Sequence, residues 1–272
     1  NTFSANAISQ SEYGCEDFAV KMAYEGARIA REAADEAEAI AAKVGLERKV
    51  WVAGSIGPTS KSLSLSPDAN DPAFRPYSFD QMKDAYKAQA ESLIRGGIDL
   101  FLIETCFDAL NVKAALTAIS EVKPTLPVMI SVSVGDRSGR TLTGQTLEAF
   151  YTSVSHYPVM SFGLNCSLGA ADLVPLVEDV SRWCSCAVSC YPNAGLPNEL
   201  GGYDQTPDEM AEQVRKMAES GLINIVGGCC GTTPEHIRAV AESVKGIAPR
   251  RIPQTQTQIL TVSGLEAVTV DR

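Results

Sequence analysis

A (β/α)8 barrel of the TIM type is the predicted fold, and three observations support it. Six apolar runs of strand length occur along the 272 residues, each is followed by a helical segment, and the spacing is roughly even. Strict alternation of this kind is typical of a doubly wound sheet or a (β/α)8 barrel. The chain opens with what reads as the end of a strand and then a helix. We therefore predict a barrel with strands three to eight present, missing the first strand and most of the second, about 40 residues.

The first half of the chain supplies a helix and two strand–helix units. Apolar residues recur at helical spacing over 16–43, which predicts an amphipathic helix; they are Phe18, Met22, Gly26, Ile29, Ala33, Ala37 and Ile40. A strand follows at 50–53, and then a polar loop at 59–77, of a length that is usually functional or mobile. Ser78 and Gln81 form a capping box for a helix through 95. The next strand, 100–103, delivers Glu104.

The second half continues the alternation. Its predicted elements are helix 109–120, strand 128–134, helix 146–157, strand 159–166, a helix to 183, strand 187–193, helix 206–220, a strand from 222 and helix 234–245. From 249 the composition is that of a linker. We predict a barrel domain over 1–248 and a linker over 249–272.

Composition and charge limit the function classes. The formal net charge of -10 argues against nucleic acid and anionic membranes as partners. No apolar run reaches the roughly 20 residues of a membrane span, and no signal peptide is recognised. A chain of this type with eight cysteines is expected to be cytoplasmic, with reduced thiols, some of which bind metal.

Two adjacent cysteines lie where the last predicted strand meets the last helix. Cys229 and Cys230 are surrounded by Gly227, Gly228 and Gly231. Neighbouring side chains on a straight strand point to opposite faces, so both thiols reach one point only if the backbone leaves strand geometry. Glycines permit that departure, and we interpret the stretch as a metal site.

Other candidates fall at the carboxyl ends of strands, which share one face in a barrel. They are Cys166, Asn193 and Glu104. Cys166 and Cys229 lie on strands two apart, whose side chains share a layer, so three thiolates are able to converge on one zinc. Three protein ligands leave a fourth position open, which is the mark of a catalytic zinc. Three thiolates make a weak Lewis acid that suits a substrate thiol and keeps its sulfur nucleophilic, which favours S-alkylation over hydrolysis.

Two motifs carry a family resemblance. Gly163-Leu-Asn-Cys166 and Gly227-Gly-Cys-Cys-Gly-Thr-Thr-Pro234 resemble the homocysteine S-methyltransferase family. Further segments are most similar to the homocysteine-binding modules of cobalamin-dependent methionine synthases, namely Ser66–Phe74, Ser138–Gln145 and Tyr191–Asn198. The closing Leu260–Glu266 resembles the entry into a folate-binding module. The resemblance covers essentially the whole chain. The glycine-rich first strand of the family, which supplies part of the amino-acid site, is absent from this sequence.

The resemblance implies a (β/α)8 barrel and assigns roles to five residues. Cys166, Cys229 and Cys230 would be the zinc ligands, and Glu104 would meet the amino group of homocysteine. Asn193 would fill the open zinc position until substrate arrives. The product would be methionine. The donor would be methylcobalamin bound to another module of the polypeptide. The cobalamin would be methylated again by 5-methyltetrahydrofolate, which binds to a third module.

Alternatives stay open at this point. One is a stand-alone homocysteine methyltransferase that uses betaine or S-methylmethionine, and another is a non-catalytic, zinc-stabilised interaction barrel. A thiol redox protein is weakly supported, since Cys184 and Cys186 form a CxC within an apolar strand. The remaining candidates have plainer interpretations: Cys15, Cys106, Cys184 and Cys190 as buried thiols, and His156 and His236 as surface or capping residues.

Overall fold

Residues 1–123, 125–253 and 260–270 are described in the structure, which is a computed structural model. The α-helices in these ranges are α1 (Ala7–Gln10), α2 (Ala19–Lys43), α3 (Phe79–Arg95), α4 (Ala109–Val122), α5 (Leu147–Val154), α6 (Ala170–Trp183), α7 (Pro207–Glu219) and α8 (Pro234–Ser243), and short 3-10 helices lie at Ser11–Tyr13 and Glu16–Phe18. The strands are β1 (Ala53–Ile56), β2 (Leu100–Cys106), β3 (Val128–Val132), β4 (Ser161–Gly169), β5 (Ala187–Asn193), β6 (Ile225–Val226), β7 (Leu260–Ser263) and β8 (Ala267–Val270). None of the helices described is both long enough and apolar enough to cross a membrane.

Strand order decides between the two architectures that the sequence allowed. Strands β1 to β6 form one sheet in chain order. The pairs β1–β2, β4–β5 and β5–β6 are parallel, and a helix follows each of the six strands. A doubly wound sheet reverses its order at a switch point, which does not happen here. The fold is therefore an α/β fold with a six-stranded parallel sheet, consistent with part of a (β/α)8 barrel, as predicted.

Two compact units divide the chain, Asn1–Met129 and Ile130–Arg272. In the first unit, helix α2 buries a different face from the apolar stripe that the sequence showed. Its buried residues are alanines, namely Ala19, Ala23, Ala27, Ala34 and Ala41. The larger residues of the stripe, among them Phe18, Ile29 and Ile40, are exposed. Small side chains allow close approach: a Cβ on Gly96, just after α3, would lie 2.5 Å from the Cβ of Ala27.

Helix starts follow the predicted capping chemistry. The Ser78 side chain accepts a hydrogen bond from the Gln81 N–H, and Thr206 caps α7 in the same way with Glu209. Both satisfy N–H groups that a helix start otherwise leaves without partners. His236, predicted as a surface or capping residue, is a buried cap. Its Nδ1 lies 3.2 Å from the Thr233 N–H at the start of α8.

Residues 260–270 form an antiparallel hairpin of β7 and β8, within the region predicted as a linker. The hairpin is bonded to the segment that precedes α5: Thr146 N–H donates to Leu265 O at 2.9 Å, and Gln145 Nε2 donates to Gly264 O at 2.9 Å. The region predicted as a linker, 249–272, therefore contains a hairpin, and the linker assignment itself stays a prediction. The linker prediction also falls on 254–259 and 271–272, which lie outside the described residues, and the boundary at 248 stays a prediction.

A buried arginine ties the end of α6 to the start of β5. Arg250 is 5% exposed. Its guanidinium donates to the main-chain oxygens of Ser181 at 2.7 Å, Cys184 at 2.6 Å and Cys186 at 3.0 Å. Hydrogen bonds from a charged donor contribute more than neutral ones, and a buried acceptor left unpaired is costly.

We expect Arg250→Leu to lower the free energy of unfolding by about 3 kcal/mol, because the buried Cys184 carbonyl and two half-buried carbonyls lose the charged guanidinium as a donor. Urea unfolding followed by circular dichroism measures the change. Arg251→Leu is the matched control, because Arg251 is the next residue in the chain and is exposed. Equal unfolding midpoints for the two variants would contradict a structural role for the Arg250 guanidinium.

Candidate metal centre

The carboxyl end of β4 departs from strand geometry at a cysteine. Cys166 and Ser167 have φ angles of 63° and 60°, in the left-handed region that side-chain-bearing residues rarely adopt. The pairing with β5 shifts at the same place, between Asn165 and Gly169. Because adjacent side chains of a regular strand face opposite ways, this turn re-aims Cys166 relative to Asn165.

The loop between β6 and α8 carries the other two cysteines and is fixed against the end of β5. Cys229 N–H donates to Pro192 O at 2.8 Å, and Cys230 O accepts from Ala194 N–H at 2.9 Å. Gly231 has a φ of 78°, and a Cβ there would lie 2.3 Å from the Cβ of Tyr203. The predicted departure from strand geometry is therefore present. Of the three glycines that the sequence analysis singled out, Gly231 has a left-handed conformation, whereas Gly227 and Gly228 do not.

The three predicted cysteine sulfurs lie together. Their Sγ atoms are all within 4.8 Å of one another, with Cys166 to Cys230 at 3.7 Å and Cys229 to Cys230 at 4.0 Å. Two sulfurs bonded to one tetrahedral zinc at about 2.3 Å are about 3.8 Å apart. The cysteines are half-buried except Cys230, which is exposed. The donor set, the spacing and the access all fit a zinc ion with one position left for a ligand from solvent.

Electrostatics of the cluster favour a cation. Hydrogen bonding from the Cys229 thiol, helped by the Ser167 N–H, lowers the pKa of Cys166 to about 5. The pKa of Cys229 is raised in turn, because it donates to the Cys166 thiolate and is itself partly buried. One thiolate therefore forms readily at neutral pH, and a second forms only if positive charge offsets the repulsion.

Asn193 and Tyr203 border the sulfurs. Asn193 is 2% exposed, and its Oδ1 accepts from the Cys230 N–H at 3.1 Å. Its side chain also helps to lower the pKa of Cys166. Asn193 thus lies at the cluster, as predicted, while its role as a zinc ligand stays a prediction. Tyr203 was not found from the sequence; burial and its hydrogen bond to Cys230 raise its pKa.

Glu104 lies in the first compact unit. It lies on β2, is half-buried, and accepts a hydrogen bond from the Ser55 hydroxyl on β1. Next to it, Thr105 has a φ of 57°, so the end of β2 is also irregular. The carboxylate is held by a neighbouring strand, and its role toward an amino group stays a prediction.

The remaining cysteines are outside the cluster. Among the described residues, the group able to hold a metal contains Cys166, Cys229 and Cys230 and not Cys190. Cys190 is buried, which raises its pKa to about 12. Cys184 and Cys186 have sulfurs 3.5 Å apart. They precede β5 and do not lie within a strand, which corrects the sequence interpretation: Cys184 is buried as expected, but Cys186 is half-exposed.

Comparison with known proteins identifies relatives that cover most of the chain. A family model described as homocysteine S-methyltransferase matches residues 1–244. Among solved structures, the oxidized form of the homocysteine methyltransferase MmuM from Escherichia coli has a TM-score of 0.69 at 19% identity, with 89% of this chain and 77% of that chain covered. The metallated form gives 0.64 at 19% identity with the same coverage. The apo form gives 0.59 at 22% identity, covering 82% and 73%. At these identities the structural likeness is one of fold.

Proposed function

This chain belongs to the homocysteine S-methyltransferase family, whose members transfer a methyl group to the thiol of homocysteine, and we propose that it does so with zinc held by Cys166, Cys229 and Cys230. The observation that carries the zinc proposal is the spacing of the three sulfurs, with 3.7 Å between Cys166 and Cys230 and 4.0 Å between Cys229 and Cys230. A structural zinc site is closed by four protein ligands, and a three-cysteine set leaves room for a substrate sulfur.

The chemistry follows from the ligand set. Zinc, when bound, would hold the homocysteine thiol as a thiolate at neutral pH, with the thiol proton released to solvent. Three cysteine thiolates keep the site electron-rich, so the substrate sulfur stays nucleophilic. Its lone pair forms the new S–C bond, while the bond between methyl and donor breaks and its electron pair stays on the donor. The products are methionine and the demethylated donor.

The chain's own residues orient the reaction. Main-chain hydrogen bonds fix Cys229 and Cys230 against the end of β5, so the ligand geometry is held before substrate arrives. Asn193 accepts a hydrogen bond from the Cys230 N–H and helps to lower the pKa of Cys166, and in our proposal it yields the open position to the substrate sulfur. For Glu104 we propose binding of the substrate amino group, a role supported by the family resemblance.

The donor we propose is methylcobalamin carried by another module of a cobalamin-dependent methionine synthase. The support is the resemblance of the segments at 66–74, 138–145 and 191–198. The long loop at 59–77 is proposed to help that module dock. Hydrogen bonds hold this loop in one conformation, as a docking surface requires. Arg75 donates to Leu63 O and Ser64 O, and Asp108 accepts from Ser64 N–H.

A donor assay tests this proposal. The zinc-loaded chain is incubated with homocysteine and one donor at a time: methylcobalamin, S-methylmethionine or betaine. We expect methionine to form with methylcobalamin as the donor and not with S-methylmethionine or betaine. Turnover with S-methylmethionine or betaine would favour the stand-alone enzyme. A zinc-bound chain that is inert with every donor and does not bind homocysteine would favour the non-catalytic interaction barrel.

A further inference from the structure

A buried amide contacts one of the cluster sulfurs from a strand that supplies another. Asn165 is 1% exposed and immediately precedes Cys166 on β4. Its Nδ2 lies 3.7 Å from Sγ of Cys229, within hydrogen-bond range for sulfur. Its Oδ1 lies 2.6 Å from the hydroxyl of Ser131, a fully buried residue on β3.

Hydrogen-bond chemistry fixes which way this amide faces. The NH2 group of Asn165 faces Cys229, and this orientation suits a Cys229 sulfur that holds zinc, because such a sulfur accepts hydrogen bonds and does not donate them. The carbonyl oxygen then faces Ser131, whose hydroxyl is able to donate to it. The result is a directed chain from the Ser131 hydroxyl, through the Asn165 amide, to the Cys229 sulfur.

We propose that Asn165 is a positioning residue of the metal centre, that it holds and polarises the Cys229 sulfur, and that Ser131 locks the amide for this purpose. The inference rests on the proposed function, because it concerns the same three-cysteine site. Its physical basis is that hydrogen-bonded partners of metal ligands orient them and tune their charge, and that losing such a partner typically costs 10- to 100-fold in metal affinity.

The backbone explains how consecutive residues serve the same site. On a regular strand, Asn165 and Cys166 would face opposite sides of the sheet. The left-handed turn at Cys166 brings its thiol to within 3.7 Å of the Cys230 sulfur, while the Asn165 amide reaches Cys229. Strand β4 therefore supplies one ligand and supports a second one from the loop after β6.

Each cysteine of the adjacent pair has its own amide. Asn165 donates to the sulfur of Cys229, whereas Asn193 accepts from the main-chain N–H of Cys230. The two contacts act on different atoms, so loss of Asn165 is expected to affect the charge and aim of one sulfur without releasing the loop.

Asn165→Asp separates this role from packing. Aspartate keeps the shape and an oxygen that accepts from Ser131, but it places an acceptor in place of the donor that faced the sulfur. We expect it to weaken zinc binding 10- to 100-fold, measured by competition with a chromophoric chelator. In the cobalt(II)-loaded chain we expect the thiolate-to-cobalt absorption band to shift. Ser131→Ala should weaken zinc binding by less than about 10-fold, the lower end of the loss typical for a direct partner of a ligand.

The matched control is Ser189→Ala on β5. Ser189 is also fully buried, and its hydroxyl has no hydrogen-bond partner within the described part of the chain. We expect its zinc affinity to equal that of the unmodified chain. Folded Asn165→Asp protein that binds zinc within twofold of the unmodified chain, with an unshifted cobalt band, would overturn the inference and leave the proposed function intact.

If Asn165→Asp does not fold, Ser131→Ala decides. Zinc affinity equal to that of Ser189→Ala overturns the inference, and a selective loss supports it. An unmodified chain that binds no zinc at all would overturn both the inference and the proposed zinc chemistry.

Discussion

Cys230→Ser is expected to release zinc and to lower the rate of methionine formation from homocysteine by at least about 100-fold. Loss of a residue that only hydrogen-bonds a metal ligand costs up to about 100-fold, and loss of the ligand itself should cost at least as much. The serine hydroxyl is a poor zinc ligand because it stays protonated at neutral pH. Two cysteine thiolates then remain as ligands. The site binds zinc more weakly, and it no longer provides the electron-rich environment that keeps the substrate sulfur nucleophilic. Zinc content by metal analysis and methionine formation by chromatography measure the two effects on the same samples.

Cys15→Ser is the control for this experiment. Cys15 is a free thiol in the first unit, outside the cluster of three sulfurs. It should keep full zinc content and activity. Stoichiometric zinc and unchanged turnover in Cys230→Ser would rule out the proposed ligand set, whereas equal losses in both variants would point to a general sensitivity to thiol replacement.

Gly163→Ala is expected to cause the largest loss of stability, about 3 kcal/mol or more, at the top of the range for overpacked positions. A Cβ at 163 would lie 1.8 Å from the main-chain oxygen of Ser189 and 2.6 Å from its carbonyl carbon. These atoms belong to the neighbouring strand, in the pairing of Gly163 with Ser189. A main-chain atom in a parallel sheet is unable to swing aside as a side chain does, so β4 and β5 must separate.

Urea unfolding measures this change as well, and Gly135→Ala is the matched control. A Cβ at 135 would lie 3.5 Å from its nearest neighbour, the Arg140 oxygen, which is an ordinary contact. We expect little change in that control. Gly163→Ala protein with the unfolding midpoint of Gly135→Ala would show that the close approach of β4 and β5 is not required. The same separation would move Cys166, so residual folded protein should also bind zinc weakly.

The alternation of strands and helices was predictable because it depends on local signals. Apolar runs, capping boxes such as Ser78 with Gln81, and glycines after helices are read within a few residues. The buried face of α2 was not predictable in the same way. The larger apolar residues drew the prediction, but close helix packing requires small side chains, and alanines carry little weight in an apolar pattern.

The metal cluster was predictable as far as strand ends could be identified. Cys166, Cys229 and Asn193 were placed by the rule that parallel strands share one carboxyl edge. Asn165 and Ser131 were not found, because strand periodicity puts Asn165 on the face opposite Cys166. The left-handed turn that removes this restriction falls on Cys166 and Ser167, where no glycine marks it. Tyr203 was missed because the loop that carries it has no periodicity to place its side chain.

The most direct test of a three-sulfur centre with an open position is zinc X-ray absorption on the unmodified chain, before and after homocysteine is added. The account predicts three sulfurs at about 2.3 Å together with one lighter ligand, and then four sulfurs once homocysteine is present. A shell that starts with fewer than three sulfurs, or one that homocysteine leaves unchanged, would contradict it.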